Sequence, residues 1–194
     1  MTIALPTQGV AEASPRYIDM GSVQRSTLGG PDQRLDRMGS RWALDVTTKP
    51  LKGEDARIWI SRLIRGKREK ASIKFSEPGV RYVGLNHTIA AAAAVNAEVI
   101  SLNANAAVPP FPEGKFISIV TGGVRCLYQV TADAAYAGTF LVGIQPPLRA
   151  AVAIGTPYEI NPAMIEGYVD GDEFSWTIDN ARIYGLRFSI REAQ

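Results

Sequence analysis

The amino-acid sequence predicts a mainly β protein, a β-sandwich or a partly open barrel, with one amphipathic α-helix and an extended N-terminal arm. Three observations lead to this prediction. Short apolar or alternating runs, separated by turn residues, follow one another from residue 71 almost to the end. One segment, at about 53–65, repeats its apolar residues with the 3.6-residue period of a helix. The first 40 residues have no sustained period.

The N-terminal segment, residues 1–40, is rich in Pro, Gly, Ser, Gln and Arg, a composition typical of a segment with little structure of its own. Four of its side chains are still apolar enough to pack on another surface: Tyr17, Ile18, Val23 and Leu28. We therefore predict that residues 1–40 form an extended arm that orders against its own domain or against a neighbour. Residues 41–194 are predicted to form a single β-rich domain, which suits a chain of 194 residues.

The ordered part is predicted to open with a strand and a helix. From Arg41 the apolar residues Trp42, Leu44 and Val46 alternate with Ala43, Asp45 and Thr47 until Pro50 ends the strand. The helix follows over about 53–65. Acidic residues stand in its first turn and arginines in its last, where each sign stabilises the helix dipole, and Gly66 ends it.

Nine further strands are predicted, each a short run between turn residues. They are 73–75, 98–102, 116–120, 124–130, 139–144, 158–160, 164–169, 174–178 and 183–190. The pairs Gly122-Gly123 and Asp170-Gly171 predict hairpin turns, because such turns need backbone with positive φ.

The predicted core is made of large apolar residues at periodic positions. Its members are Trp42, Trp59, Phe75, Phe116, Ile119, Leu127, Val130, Leu141, Ile144, Leu148 and Trp176. Aromatic residues in such a pattern pack against one another before they bind a ligand.

Composition narrows the classes of function. The 21 basic and 19 acidic residues give a formal net charge of +2, too small for a strong field toward nucleic acid or an anionic membrane. We expect no specific nucleic-acid binding and no membrane partner.

Cys126 is the only cysteine, which excludes an intrachain disulfide, and the first residues do not have the pattern of a secretory signal. The chain is expected to fold in the cytosol.

No self-contained catalytic centre is evident in the sequence. His87 is the only histidine, so the chain has no second histidine for a zinc site. A serine–histidine–acid triad would have to use the same residue. Asp170, Asp172 and Glu173 lack the further ligands of a calcium loop and are interpreted as an acidic hairpin tip. We predict no catalytic residue, no cofactor and no metal.

The arginines are the better candidates for function, since their forked guanidinium groups pair with carboxylates across subunit interfaces. The candidate subunit-interface residues are Arg25, Arg34, Arg37, Arg65, Arg68 and Arg149. The first three lie on the arm and the next two at the end of the helix. Arg149 follows Pro146-Pro147, a pair that would end its strand sharply and hold the arginine at a rim.

Several runs in order along the chain carry a resemblance to a known family. They are R-x-G-x-R-W at 37–42, KPL at 49–51, Asp55-Ala56 with Trp59, EGKFISI at 113–119, RCLYQVTA at 125–132, LVGIQPPLR at 141–149, PAM at 162–164, Trp176 and FSIRE at 188–192. In this order the chain resembles minor tail proteins of about 200 residues from tailed phages and prophages. The resemblance covers nearly everything after residue 20.

The resemblance implies a virion structural subunit of the tail tip or baseplate, similar to distal tail proteins. Such a subunit is made in the host bacterial cytoplasm. It would form a ring with copies of itself, possibly a hexamer, that joins the tail tube to hub or receptor-binding proteins.

Two alternative functions remain. One is a carbohydrate- or receptor-binding β-module of the same particle, with exposed aromatics at 108–114 or Tyr136. The other is a cell-wall hydrolase, which would need a pocket with paired ionisable groups.

Overall fold

The computed structural model describes residues 2–27, 29–35, 37–75, 77, 87–103, 111–134, 138–160, 162–178 and 183–193. Over these residues the chain is mainly β, with a single helix and several sheets, as the sequence predicts. The helix, α1, spans Gly53–Arg65 and has 13 residues. The described part of the chain holds no helix with the length and hydropathy of a membrane span.

The strands are short and are numbered in chain order. They are β1 (Thr2–Ala4), β2 (Val10–Ile18), β3 (Ser22–Gln24), β4 (Gln33–Leu35), β5 (Arg41–Thr48), β6 (Lys70–Phe75), β7 (Thr88–Ile89), β8 (Val99–Asn103), β9 (Phe116–Thr121), β10 (Val124–Val130), β11 (Thr139–Gln145), β12 (Tyr158–Glu159), β13 (Ala163–Val169), β14 (Thr177–Ile178), β15 (Tyr184–Gly185) and β16 (Arg187–Glu192).

Two six-stranded sheets make up the body of the molecule. The first sheet has the order β1-β6-β13-β16-β5-β2, and the second has the order β12-β9-β10-β11-β8-β7. All neighbouring strands within them are antiparallel except β1 and β6, which are parallel. Two small two-stranded sheets, β3-β4 and β14-β15, stand beside them.

The N-terminal segment supplies both edges of the first sheet. β1 pairs with β6 at one edge, and β2 pairs with β5 at the other. Leu5, between the two strands, is buried in the core. Much of residues 1–40 therefore orders against its own domain, and the part from 19 to 40 stands apart from the cores as the β3-β4 hairpin. The division into an arm (1–40) and a domain (41–194) stays a prediction.

Helix α1 forms where the sequence predicts it. Its Ala56, Trp59 and Leu63 are buried, at the 3–4-residue spacing of one helix face, and Trp59 packs its ring 5.6 Å from the ring of Phe188. Gly66 ends the helix in right-handed backbone, with its N–H bonded to the Arg62 carbonyl at 2.8 Å. A glycine is needed there because a Cβ would stand 2.8 Å from Val169.

Two hydrophobic cores meet at strands β9 and β10. Phe116 and Leu127 belong to the core of the first sheet and α1, and the Phe116 ring meets the Trp42 ring edge-on at 4.8 Å. Ile117 and Tyr128, the next residues along each strand, belong to the core of the second sheet. Because successive side chains of a strand point to opposite faces, these two strands hold both cores together.

Most of the predicted core is confirmed. The buried members are Trp42, Trp59, Phe116, Ile119, Leu127, Val130, Ile144 and Leu148. Two members are wrong. Leu141 is 69% exposed because β11 points Phe140 and Val142 inward, and Trp176 is 39% exposed beside α1. The side chain of Phe75 lies outside the described residues.

One of the two predicted hairpin turns is confirmed. Gly122 and Gly123 have φ of +59° and +77°, and they join β9 to β10 with Thr121 opposite Val124. The turn at Asp170-Gly171 does not form a hairpin, because β13 pairs with β6 and β16 instead of the strand that follows it. The predicted strand at 174–178 shortens to β14, and the one at 183–190 divides into β15 and β16.

Close packing of β13 on β16 predicts a strong effect of Gly167→Ala. A Cβ on Gly167 would overlap the backbone carbonyl of Arg191, which cannot move without breaking the strand pair. We expect Gly167→Ala to lower the free energy of unfolding by about 3 kcal/mol, measured by urea denaturation.

The matched control is Gly185→Ala, where no atom lies within 4 Å of the added Cβ. It should change the free energy of unfolding by less than about 0.5 kcal/mol. Equal effects of the two substitutions would contradict the packing described here.

Candidate functional site at the hairpin arm

Residues 19–40, called the hairpin arm below, connect β2 to β5 of the first sheet. β3 and β4 pair from Ser22 opposite Leu35 to Gln24 opposite Gln33. No described residue from 19 to 40 belongs to either hydrophobic core. Val23 is 54% exposed and Met38 is 72% exposed. The hairpin arm thus offers apolar and basic side chains that its own domain does not use.

The base of the hairpin arm is held by Asp19. Its carboxylate accepts hydrogen bonds from the Gly21 N–H at 2.8 Å, the Arg34 guanidinium at 3.0 Å and the Ser40 hydroxyl at 3.3 Å. The Gly21 N–H is the largest influence that lowers the pKa of Asp19, and Arg34 adds to it. The Ser40 hydroxyl also accepts from the Met20 N–H at 3.2 Å. These bonds hold the two ends of the arm together where it joins β5.

A groove of about 1110 Å³ lies between the hairpin arm and the second sheet. The arm contributes Arg34, Arg37 and Met38, and the turn 146–149 closes one end. Apolar side chains from β8, β10 and β11 form much of the opposite wall: Val99, Val124 and Ile144. The groove has the size and mixed character of a binding surface for a protein segment.

A buried ion pair lies beside this groove. The Arg149 guanidinium is 2.8 Å from the Glu192 carboxylate, and the exposed fractions of the two side chains are 14% and 0%. Glu192 also accepts hydrogen bonds from the Trp42 N–H at 2.7 Å and the Leu127 N–H at 2.5 Å. Arg149 donates to the Ala193 carbonyl at 3.3 Å.

Burial and the partner charge act in opposite directions on each member of this pair. Burial opposes the charge on Arg149, but the adjacent Glu192 outweighs it and raises the pKa of the guanidinium. Burial raises the pKa of the Glu192 carboxyl, while Arg149 and the two N–H donors act against that rise. Burial is the larger influence and raises the pKa of Glu192 overall, so the three donors reduce the cost of the buried charge without removing it.

Two further arginines stand near the pair. Arg191 pairs with Asp170 at 2.7 Å, and burial together with the charges of Arg191 and Arg149 lowers the pKa of Arg41. Within the described residues, the Nε atoms of Arg41, Arg149 and Arg191 are buried and have no hydrogen-bond partner. Three guanidinium groups thus face two carboxylates at this end of the first sheet.

A second buried network joins the sheets through Arg125 of β10. Arg125 binds Glu159 with two nitrogens, at 2.7 and 2.9 Å, and reaches Glu166 of β13 at 3.1 Å. The bonds to Glu159 raise the pKa of the guanidinium despite its burial. Ser118 donates to Glu159 at 3.0 Å, and Thr2 of β1 donates to Glu166 at 3.0 Å. The network is structural, since each carboxylate is already engaged.

Burial shifts the pKa of three side chains that could act as a nucleophile or a base. Burial raises the pKa of the Cys126 thiol, which keeps the sulfur protonated and unreactive. Burial likewise raises the pKa of the Tyr128 hydroxyl, which accepts from the Arg149 N–H at 3.4 Å. Burial lowers the pKa of His87, whose Nδ1 lies 3.4 Å from the Tyr158 hydroxyl. The described part of the chain contains no group of three metal-ligating side chains.

The structure brings together three of the six predicted interface arginines. Arg34, Arg37 and Arg149 all line the groove. Arg149 does not stand at an exposed rim, because the turn after β11 directs it onto Glu192. The other three are exposed and lie elsewhere: Arg25 in the loop of the hairpin arm, and Arg65 and Arg68 at the end of α1. Whether any of the six forms a subunit contact stays a prediction.

Sequence reasoning missed the role of Glu192 and of Arg125. The signal for Glu192 was present: Phe188 and Ile190 alternate inward, and the same period places Glu192 inward too. For Arg125 no local signal exists, since its partners come from strands 34 and 41 residues away. The predicted exposed aromatics at 108–114 include Phe111, which is fully buried; residues 108–110 and Tyr136 lie outside the described residues.

No protein-family model matches the chain, and no curated protein matches it.

The buried pair predicts a large effect of Glu192→Gln. The change removes the charge that compensates Arg149 and places an amide donor against one of the two N–H groups, that of Trp42 or that of Leu127. We expect the free energy of unfolding to fall by about 3 to 5 kcal/mol, the usual cost of leaving a buried charge without its partner.

Arg34→Met is the matched control, since it breaks an ion pair whose side chains are 60% and 43% exposed. That pair should contribute at most about 1 kcal/mol. Urea denaturation of both variants separates the two cases. A loss below about 1 kcal/mol for Glu192→Gln would contradict the role assigned to the buried pair.

Proposed function

We propose that the chain is a structural subunit of a tailed-phage virion, located in the tail tip or baseplate, that assembles into a ring through its hairpin arm. In this position it joins the tail tube to hub or receptor-binding proteins. The single observation that carries the proposal is the hairpin arm itself: a built β-hairpin that contributes no described residue to either core. A segment held in shape but unused by its own domain is suited to contact another subunit.

The rest of the molecule supports a structural role. The two sheets are tied to each other by Glu192 and by Arg125. Such bonds between the sheets suit a structural subunit. The groove beside the hairpin arm supplies a receiving surface, with apolar walls and arginines that fit an incoming segment of a neighbour.

The sequence resemblance to phage minor tail proteins supplies the biological setting of the proposal. Its motifs include the segments that build this region: 37–42 leads from the hairpin arm into β5, and 141–149 forms β11 with the turn that presents Arg149. Motif 188–192 contains Glu192. The resembling runs therefore coincide with the structural elements around the groove.

The proposal predicts that shortening the hairpin arm abolishes self-assembly and leaves the fold intact. Residues 23–34 are replaced by Asn-Gly, a two-residue turn that can close the strands where Ser22 faces Leu35. We expect the full chain to sediment as a closed oligomer and the shortened chain as a monomer. Because neither core loses a residue, the melting temperature should stay within about 4 °C.

A pair of point variants checks the same idea without changing chain length. Met38→Asp alters the hairpin arm, and Ile154→Asp alters a side chain of similar exposure, 69% against 72%, outside it. Only Met38→Asp should weaken the oligomer in analytical ultracentrifugation. An oligomer that survives arm shortening, or a full chain that stays monomeric at every concentration, would sink the proposal.

A further inference from the structure

A second groove, distinct from the one beside the hairpin arm, lies on the outer side of α1. It measures about 560 Å³ and runs between the helix and the small β14-β15 sheet. Its apolar lining consists of Ile60 and Ile64 from the helix and of Trp176, Ile178 and Tyr184 from the small sheet. We call it the helix groove.

Much of this lining is exposed although it is apolar. Ile64 is 50% exposed, Trp176 is 39% exposed and Ile178 is 56% exposed. The opposite face of α1 fills the core with Trp59 and Leu63, and Ile60 and Tyr184 at the edge of the groove also pack against that core. The exposed apolar surface that remains, made of Ile64, Ile178 and Trp176, has the composition of an interface centre.

Two arginines set the chemistry of the occupant. Arg57 and Arg65 line the helix groove, and no acidic side chain among the described residues lines it with them. They are eight residues apart on one helix, hence about 12 Å apart along its axis. Arg65 touches Glu69 at 3.4 Å but remains 55% exposed, so it stays available to a second carboxylate.

We infer that the helix groove binds an acidic, aliphatic segment of a partner protein, with carboxylates about 12 Å apart meeting Arg57 and Arg65. Apolar side chains between these carboxylates cover Ile64, Trp176 and Ile178. The isoleucine floor favours a protein segment over single-stranded nucleic acid, which binds through successive aromatic platforms. The inference rests on the proposed function in one respect, the location of the partner in a phage tail. The preference for acidic segments does not depend on that location and is tested on the isolated chain.

Trp176 provides the reporter for a direct test. The other two tryptophans, Trp42 and Trp59, are 7% and 1% exposed, so a change in solvent contact on binding comes from Trp176. The probes are a twelve-residue peptide of alternating leucine and glutamate and the same peptide with lysine for every glutamate. We expect the acidic probe to shift tryptophan emission to the blue and to protect it from acrylamide. The lysine probe should do neither.

The arginines are tested by charge reversal. Arg57→Glu/Arg65→Glu should weaken the acidic probe about tenfold or more, since it replaces two attractions by two repulsions, and should admit the lysine probe. The matched control is Lys74→Glu/Arg187→Glu, which makes the same change in net charge at two exposed residues outside both the helix groove and the hairpin arm. The control should bind the acidic probe as the unchanged chain does. Calorimetry on Trp176→Phe checks that the signal reports this groove.

Three results would overturn the inference. The first is no binding of the acidic probe at up to about 1 mM, or equal binding of both probes. The second is displacement of the probe by an oligothymidine strand, which would make the ligand nucleic acid. The third is burial of Trp176 with rising protein concentration alone, which would make the occupant a second copy. Sedimentation of the same variants keeps this test separate from the assembly test, because the hairpin arm is unchanged in all of them.

Discussion

The carboxylate of Glu192 is the interaction on which the rest of the structure depends. One oxygen accepts the N–H of Trp42 in the first sheet, and the other accepts the N–H of Leu127 in the second. Arg149, from the turn after β11, balances its charge. A single side chain thus ties two sheets and a connecting turn together. Removing water from a carboxylate is costly, so this arrangement is stable only when all three donors are in place.

The hairpin arm joins β5 close to the Glu192 carboxylate. The arm ends at Ser40, two residues before Trp42, whose N–H Glu192 holds. Asp19 binds Ser40 from the other strand of the arm. Both ends of the hairpin are therefore fixed within a few residues of the most buried charge in the described chain. The base of the arm therefore lies beside the junction of the two sheets.

Sequence patterns predict the parts of this fold that depend on neighbouring residues, and they miss the parts that depend on residues far apart in the chain. Periodicity is local, so it found α1 to the residue and seven of the sixteen described strands to within one or two residues, while β1 to β4 and β7 were not predicted. It failed where packing depends on distant partners. Leu141 has the residue type of a core member, yet its neighbours in β11 take the inward positions. Residues 1–40 lack a period because β1 and β2 are edge strands, with few inward-facing side chains to show one. The ion pairs of Arg125 and Arg149 join residues 34 to 43 positions apart, and no local pattern records such pairs.

The two exposed surfaces occupy opposite ends of one strand. The hairpin arm enters β5 at Arg41, and the chain leaves β5 at Thr48 to begin α1 five residues later. An eight-residue strand spans about 26 Å. Contacts made by the arm and contacts made at the helix groove therefore do not compete for space. They also differ in chemistry, since the arm offers exposed apolar and basic side chains and the helix groove an isoleucine floor with a tryptophan between two arginines. A subunit that must hold its sister copies at one end and a different protein at the other needs this separation, because a shared surface would force the two partners to exclude each other.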